Sequence, residues 1–289
     1  MTDQHGHDHG HGGPAHGQGG AARIPFMEPG SRTRVLAIAS GKGGVGKSSV
    51  TVNLGISLAS QGVDVGLLDA DVYGFSIPKM LGVSQQPAAV GNRIVPPVAH
   101  GVKVMSMGFL ADDDQPVIWR GPMLHKFLEQ TLTDILWGDL DYLLIDMPPG
   151  TGDVALSMSQ YLPRAEVLVV TTPQAAAQRV AQRSAYMARK LRMTVRGVIE
   201  NMSWFTGDDG TRYELFGRGG GADLAQRLEV PLLGQVPLVP ALREGGDEGM
   251  PVVVSDPEGE AAQVFAGLAH RIAVDLAPTR VYRPELTIR

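Results

Sequence analysis

A strand-length apolar run, Val35 to Ala39, leads through Gly41-Lys42-Gly43-Gly44-Val45-Gly46-Lys47-Ser48 into the helix-compatible stretch Ser49 to Ser60. The glycine-rich segment satisfies the phosphate-binding pattern G-x-x-x-x-G-K-[ST], in the strand-before, helix-after context that gives the pattern its meaning. Glycines let the backbone curl until successive N–H groups point inward at phosphate oxygens. The helix N-terminus adds unpaired donors and a partial positive charge at the same place. On this reading Gly41, Gly43, Gly44, Val45, Gly46, Lys47, Ser48 and Ser49 form a nucleotide cradle. Lys47 would reach the β and γ phosphates, and the Ser48 hydroxyl would enter the shell of Mg²⁺.

The rest of the chain has the matching rhythm. From Arg34 onward, apolar runs of strand length alternate with amphipathic helices, the signature of βαβ units on a parallel sheet. Strands are expected at 34–40, 63–69, 102–108, 141–146, 166–172, 195–200 and 232–236, near-continuously apolar as strands covered on both faces should be. Val50, Leu54 and Leu58 mark the sheet-facing side of the first helix. Residues 87–101 break the alternation and read as a β-hairpin excursion. A helix at 119–136, with Trp119, Met123, Leu124, Phe127 and Leu128 partly on one stripe, is either core or a dimer or client surface. The last helix, about 258–276, carries Val264, Leu268, Ile272 and Leu276 as a core stripe. These features predict a doubly wound α/β domain over 31–277.

Residues 1–30 are different: His5, His7, His9, His11 and His16 stand among glycines with almost no apolar residues. Such a leader cannot offset its ordering entropy and is expected to be disordered. Its spacing would let several imidazoles reach one Ni²⁺, Cu²⁺ or Zn²⁺, with a flexible leader of incidental affinity as the alternative. Residues 278–289 read as a tail. A net charge of -5 gives no overall basic surface for nucleic acid or anionic membrane. No apolar run approaches a membrane span and no signal-peptide core is visible, so a cytoplasmic protein is expected. Cysteine is absent, which excludes disulfides and thiolate-held metal within the chain.

In an open parallel sheet, ligands sit beyond the carboxyl ends of the strands. After the second strand come Asp69 and Asp71, spaced so that one could hold a metal-bound water and the other position the nucleophile; a helix-capping turn is the alternative. Asp146 closes an apolar strand ahead of Met147-Pro148-Pro149-Gly150-Thr151-Gly152-Asp153, the arrangement that completes a Mg²⁺ shell. After the strand ending near Ile199 stands Asn201, whose amide can donate and accept at once; an Asn capping a turn is the alternative.

Lys42, second in the loop, makes K-G-G-V-G-K-S resemble the deviant Walker A loop of the MinD, ParA, nitrogenase iron protein and Mrp group. With D-A-D-V-Y-G at 69–74, D-M-P-P-G-T-G-D at 146–153 and E-N-M-S at 200–203, the chain resembles the Mrp/ApbC branch over roughly Ser31 to Ala273. The resemblance implies ATP and Mg²⁺, a homodimer across which Lys42 reaches the partner's nucleotide, Asp71 as the water-orienting group with Asp69 near the metal, and Asn201 and Pro237 beside adenine. It also implies a [4Fe-4S] cluster, held by a C-x-x-C from each of two subunits and passed to iron-sulfur scaffold or client apoproteins. Here Gly207 and Gly210 stand where those cysteines are expected, and the His/Gly leader stands where many members carry a small N-terminal domain. Three readings follow: an ATP-driven partner in iron-sulfur maturation whose thiolates come from elsewhere, a carrier of metal through the His leader, or a nucleotide-switched interaction protein of the ParA/MinD kind.

Overall fold

The structure, a computed structural model, describes residues 24–28, 30–71, 74–110, 121–150 and 152–276. The expectations for the His/Gly leader up to residue 23, for Val72, Tyr73, Trp119 and Thr151, and for the tail lie outside these residues.

Twelve strands are described: β1 (Arg34–Ser40), β2 (Val65–Asp69), β3 (Ala88–Val90), β4 (Arg93–Val95), β5 (Val98–Ala99), β6 (Val102–Ser106), β7 (Tyr142–Asp146), β8 (Glu166–Thr171), β9 (Thr194–Glu200), β10 (Phe205–Thr206), β11 (Arg212–Tyr213) and β12 (Leu232–Gln235). The helices are α1 (Lys47–Ala59), α2 (Ile77–Met80), α3 (Gly121–Thr133), α4 (Asp153–Tyr161), α5 (Ala175–Lys190), α6 (Gly220–Arg227), α7 (Pro240–Glu248), α8 (Val252–Ser255) and α9 (Glu260–His270). Eight strands form one sheet in the order β12-β9-β8-β1-β7-β2-β6-β5. All pairs in it are parallel except β5 with β6.

Period-two alternation sorts the strand residues into two cores. Val35 and Ala37 of β1, Leu143 and Ile145 of β7, and Val167 and Val169 of β8 meet α3, α4, α5 and α6 on one face. Leu36 and Ile38, Tyr142 and Leu144, and Leu168 and Val170 meet α1, α2, α8 and α9 on the other. Both faces of each strand therefore need apolar side chains, which is why these runs are continuously hydrophobic. The chain is a doubly wound, mostly parallel α/β sheet, as expected from its rhythm.

The differences are local. Helix α1 is buried all round rather than on one stripe, because it lies between the sheet and α9. Its polar residues are satisfied internally: Asn53 donates to the Ser49 carbonyl at 2.8 Å and accepts from the Val253 N–H at 3.3 Å. The strand expected at 102–108 ends at Ser106, where the chain tightens into a 3-10 turn, Met107–Leu110. The last helix stops at His270 and continues as a π turn, Arg271–Asp275, with Phe265, Leu268 and Ile272 innermost and Val264 and Leu276 half-buried. In α3, Leu124, Phe127 and Leu128 are buried and Met123 is exposed, so the stripe is core. The hairpin expected at 87–101 is β3 paired antiparallel with β4, followed by β5 on the sheet edge. No helix among the described residues is long and apolar enough to cross a membrane.

The direction of travel reverses around β1. From β1 the chain crosses to β2 and β6, returns to β7, then passes β1 again to β8, β9 and β12. A crevice opens at the carboxyl end of such a reversal. It is there that Ser40 hands over to Gly41.

Candidate functional site

The loop after β1 has the geometry its glycines permit. Gly44 and Gly46 are both left-handed, at φ 76°, where a side chain would add strain. At Gly41 the requirement is space: a Cβ would lie 2.2 Å from the Ala181 nitrogen and 2.3 Å from the Val180 carbonyl carbon, both on α5. Gly46 then caps α1, directing the helix N-terminus into the crevice.

A cleft of roughly 650 Å³ opens above the loop, lined by Lys42 to Ser49 and across from them by Asp71, Pro149, Asn201, Met202 and Pro237. Segments distant in sequence are thus brought to one place, as the strand-end argument requires. Lys47 Nζ lies 2.7 Å from Asp146 Oδ2 and 3.8 Å from Asp71 Oδ2. Asp146 also accepts from Ser48 Oγ at 2.6 Å and from Thr51 Oγ1 at 2.8 Å. Thr51 was not among the sequence candidates; its place one helical turn beyond Lys47 was the available signal. A hydroxyl and a carboxylate oxygen in contact, with room beside them for water and phosphate oxygens, suit the octahedral all-oxygen shell of Mg²⁺, so Ser48 and Asp146 fit that ion.

Asp69 is placed differently from the expectation. Its carboxylate is fully buried and saturated: Oδ1 accepts the Asp71 N–H at 3.2 Å, and Oδ2 accepts Ser76 N–H at 3.0 Å, Ile77 N–H at 3.2 Å and Ser106 Oγ at 3.2 Å. It organises the turn that presents Asp71. Burial first, and then the charge of Asp146, push its carboxyl from the ordinary 3.8 up to about 7, against the N–H groups of Ile77 and Asp71 and the cation of Lys47. Between these values the folded state holds a proton that the unfolded chain has released. This group's contribution is therefore full below about pH 4, falls as pH rises toward 7 and is level above that. Thermal melts of the metal-free protein from pH 5 to 8 should show a falling Tm that flattens in Asp69→Asn; an equally steep variant would remove Asp69 as the cause.

Lys42 and Asn201 also have partners that no motif announces. Lys42 Nζ donates to Gln174 Oε1 of its own chain at 3.3 Å, just ahead of α5. Asn201, buried, donates from Nδ2 to the Val45 carbonyl at 2.9 Å. Its neighbour Glu200 is a buried anchor: Oε1 accepts Ser203 Oγ at 2.9 Å and Gln235 Nε2 at 2.7 Å, and Oε2 accepts the Gly221 N–H at the start of α6. A carboxylate at a helix N-terminus is favourable on charge as well as hydrogen bonding. The segment after Asp146 is tied back to β1, with the Gly150 N–H donating to the Ser40 carbonyl at 2.9 Å. Ser184 Oγ of α5 reaches both the Ser40 carbonyl, at 3.3 Å, and the Gly150 carbonyl, at 3.2 Å.

The sequence profile of the ParA-type NUBPL iron-transfer P-loop NTPases matches residues 31–273. This chain belongs to that family. It is similar to the iron-sulfur cluster carrier protein of Mycobacterium tuberculosis, 51% identical over 273 residues covering 89% of this chain and 72% of that protein. The Escherichia coli iron-sulfur cluster carrier protein is 46% identical over 245 residues, covering 84% of this chain and 66% of that one. Among solved structures, a nucleotide-binding protein of Archaeoglobus fulgidus in complex with ADP superposes with a TM-score of 0.69 at 34% identity, covering 81% of this chain and 93% of its own. The cell division ATPase MinD of Pyrococcus furiosus gives 0.64 at 27% identity, covering 84% and 99%.

Against that family background the expected cluster position is informative. β10 and β11 form a hairpin whose tip, Gly207 to Gly210, is closed by its own bonds: Gly207 N–H to the Thr211 carbonyl at 2.9 Å and Gly210 N–H to the Gly207 carbonyl at 2.9 Å. Asp209 accepts both the N–H and the hydroxyl of Thr211, which hold its carboxyl below the usual range. The hairpin is fastened to α9 through Glu260, which accepts from Trp204 Nε1, Thr206 Oγ1 and Arg212 Nη2. Burial opposes the Glu260 charge, but those three partners outweigh it and hold the carboxyl low. Gly210 is left-handed at φ 77°. Among the described residues no three His, Asp or Glu side chains gather as a metal site. The residues present do not fit a thiolate-held cluster.

Proposed function

We propose that this chain is a Mg-ATP-dependent dimeric switch ATPase of the cytoplasm that serves iron-sulfur cluster delivery, with the thiolates supplied by its scaffold or client proteins. The observation that carries the reading is the cleft on which the phosphate loop, Asp71, Asn201 and Pro237 converge, with Asp146 bonded to Ser48 behind its wall. The cargo follows from the family and from relatives named as iron-sulfur cluster carriers, and the source of the ligands from the absence of cysteine. Nucleic acid and membrane are not part of this reading.

Each residue has a definite task in it. The loop N–H groups from Gly43 to Ser49 hold phosphate oxygens, and Lys47 turns from Asp146 toward the β and γ phosphates. Ser48 would hold Mg²⁺ directly and Asp146 through water, and the bound ion would supply charge neutralisation on the phosphates, while Asp69 keeps the turn that presents Asp71. Asp71 accepts a hydrogen bond from the attacking water and orients it in line with the γ phosphate. Lys42 releases Gln174 and reaches across the dimer to the partner's nucleotide, where it offsets charge on the transferred group. The Pro148–Gly150 segment lies where loss of the γ phosphate would be felt, so its rearrangement changes the surface shown to a client.

Asp71→Ala should lower ATP turnover by at least about 10²-fold while leaving ATP affinity within about threefold. Measuring both on one preparation separates the chemical role from binding, and unchanged turnover would take Asp71 out of the mechanism. Anaerobic incubation with iron and sulfide should leave the purified chain without a stoichiometric cluster, while addition of a thiolate-bearing client allows ATP-dependent transfer. A cluster retained by the chain alone would sink the proposed division of labour.

A further inference from the structure

The amide of Asn201 is aimed at the phosphate loop, and the loop is built around it. A loop whose N–H groups converge on phosphates must turn its carbonyls outward, and a buried carbonyl needs a donor. Val45 is buried, and its carbonyl receives Asn201 Nδ2 at 2.9 Å. The contact is intimate: a Cβ on Gly46 would lie 2.2 Å from the same Nδ2 and 3.5 Å from the Asn201 Cγ. Gly46 is therefore required twice, once by its φ of 76° and once by the side chain pressed against it.

Asn201 is itself held rigidly. Its N–H donates to the Thr171 carbonyl at the end of β8 at 2.8 Å, and Ser203, two residues on, donates its N–H to the Val236 carbonyl at 3.0 Å. Met202 between them is left-handed at φ 57°, which fixes the turn that points the amide back across the sheet. The chain thus spans from β9 to β1 through one side-chain hydrogen bond, skipping over β8.

We propose that Asn201 is a positioning residue for the phosphate loop: its amide holds the Val45 carbonyl outward, keeps Gly46 left-handed and so keeps the loop N–H groups turned into the cleft. This role rests on the nucleotide-binding reading above, deepens it, and does not depend on which base the nucleotide carries. An aspartate would set a carboxylate oxygen against the carbonyl, and an alanine would leave the carbonyl without its donor.

The test compares wild type with Asn201→Ala and Asn201→Asp for Mg²⁺-dependent binding of ATP, GTP and base-free tripolyphosphate. Asn201→Ala should weaken all three by a common factor of about 10, leaving the ATP to GTP ratio unchanged, and Asn201→Asp should weaken them further. Loss confined to ATP, with tripolyphosphate unaffected, would make Asn201 a base reader and overturn the proposal. A second measurement needs no ligand: hydrogen exchange over residues 43–48 should accelerate in nucleotide-free Asn201→Ala by far more than exchange in the strands of the central sheet. Unchanged exchange would overturn the proposal even where binding falls. Gly46→Ala should lose binding in the wild-type background and recover part of it when combined with Asn201→Ala, because the 2.2 Å conflict is then removed. If wild type binds none of the three phosphates, the nucleotide reading fails, and the exchange result alone decides what Asn201 does to the loop.

Discussion

Lys47→Ala is expected to abolish measurable ATP hydrolysis, a loss of at least about 10³-fold, and to weaken ATP binding by about 10²-fold. The reason lies in what the side chain faces. Its ammonium is 2.7 Å from Asp146 and 3.8 Å from Asp71, at the point of the cleft where the phosphate loop meets both carboxylates, whereas Lys42, Lys79 and Arg243 line the cleft elsewhere. Phosphates entering the loop compete with Asp146 for that cation, so the lysine is held in place before the ligand arrives. Its removal also leaves Asp146, which is fully buried, with the Ser48 and Thr51 hydroxyls as its side-chain partners among the described residues. Leaving a buried charge without its counter-ion costs about 3–5 kcal/mol, so a lowered Tm should accompany the kinetic defect. Isothermal titration, turnover and thermal melts on the same sample read out all three. Binding and turnover close to wild type would show that the cleft is not the nucleotide site.

Lys42→Ala is expected to cut turnover by about 10³-fold or more, the scale of a cation supplied in trans to a phosphoryl transfer, while ATP affinity stays within a few-fold. In the protomer Lys42 rests 3.3 Å from Gln174 of its own chain, so a cis role has to be separated from a trans one. Mixing separates them. Lys42→Ala and Asp71→Ala are each expected to be inactive alone, yet a heterodimer of the two holds one site with both residues intact, Asp71 from one protomer and Lys42 from the other. An equimolar mixture should regain about one quarter of wild-type turnover, since half the dimers are mixed and each has one competent site. No recovery would place Lys42 in its own protomer's site.

The sequence was most legible where one residue's chemistry is set by its neighbours in the chain. Val35 to Ala39 had to be a two-sided strand, Gly44 and Gly46 had to be the turn, and Asp146 had to end β7, because each assignment follows from local period or backbone freedom. The contacts that tune the site were less legible because a doubly wound sheet joins strands that are not consecutive. Asn201 meets Val45 across β8, Lys42 meets Gln174 at the start of α5, and Ser106 at the end of β6 satisfies Asp69 at the end of β2. An i, i+2 carboxylate pair looks the same in sequence whether both members face a metal or, as here, one turns inward to accept four hydrogen bonds. Helix α1 was similarly opaque: its polar Thr51, Asn53 and Ser57 suggest a solvent face, whereas all three are buried, Thr51 against Asp146 at the end of β7 and Asn53 against α8.

The missing side chain at Gly41 has a practical consequence for anyone wishing to watch this protein move. With no atom between them, the backbone of the loop rests on the backbone of α5, and Ser184 of the same helix bonds to Ser40 just before it. Loop and helix thus share a close backbone seam, which makes α5 the reference from which to measure motion in the site. A spectroscopic pair with one label at the exposed Tyr186 of α5 and the other at Pro149 would report displacement of the Pro148–Gly150 segment against α5, a displacement that requires the bond from Ser184 to the Gly150 carbonyl to break. A control pair from Tyr186 to Ser60, exposed at the far end of α1, should change much less between nucleotide states.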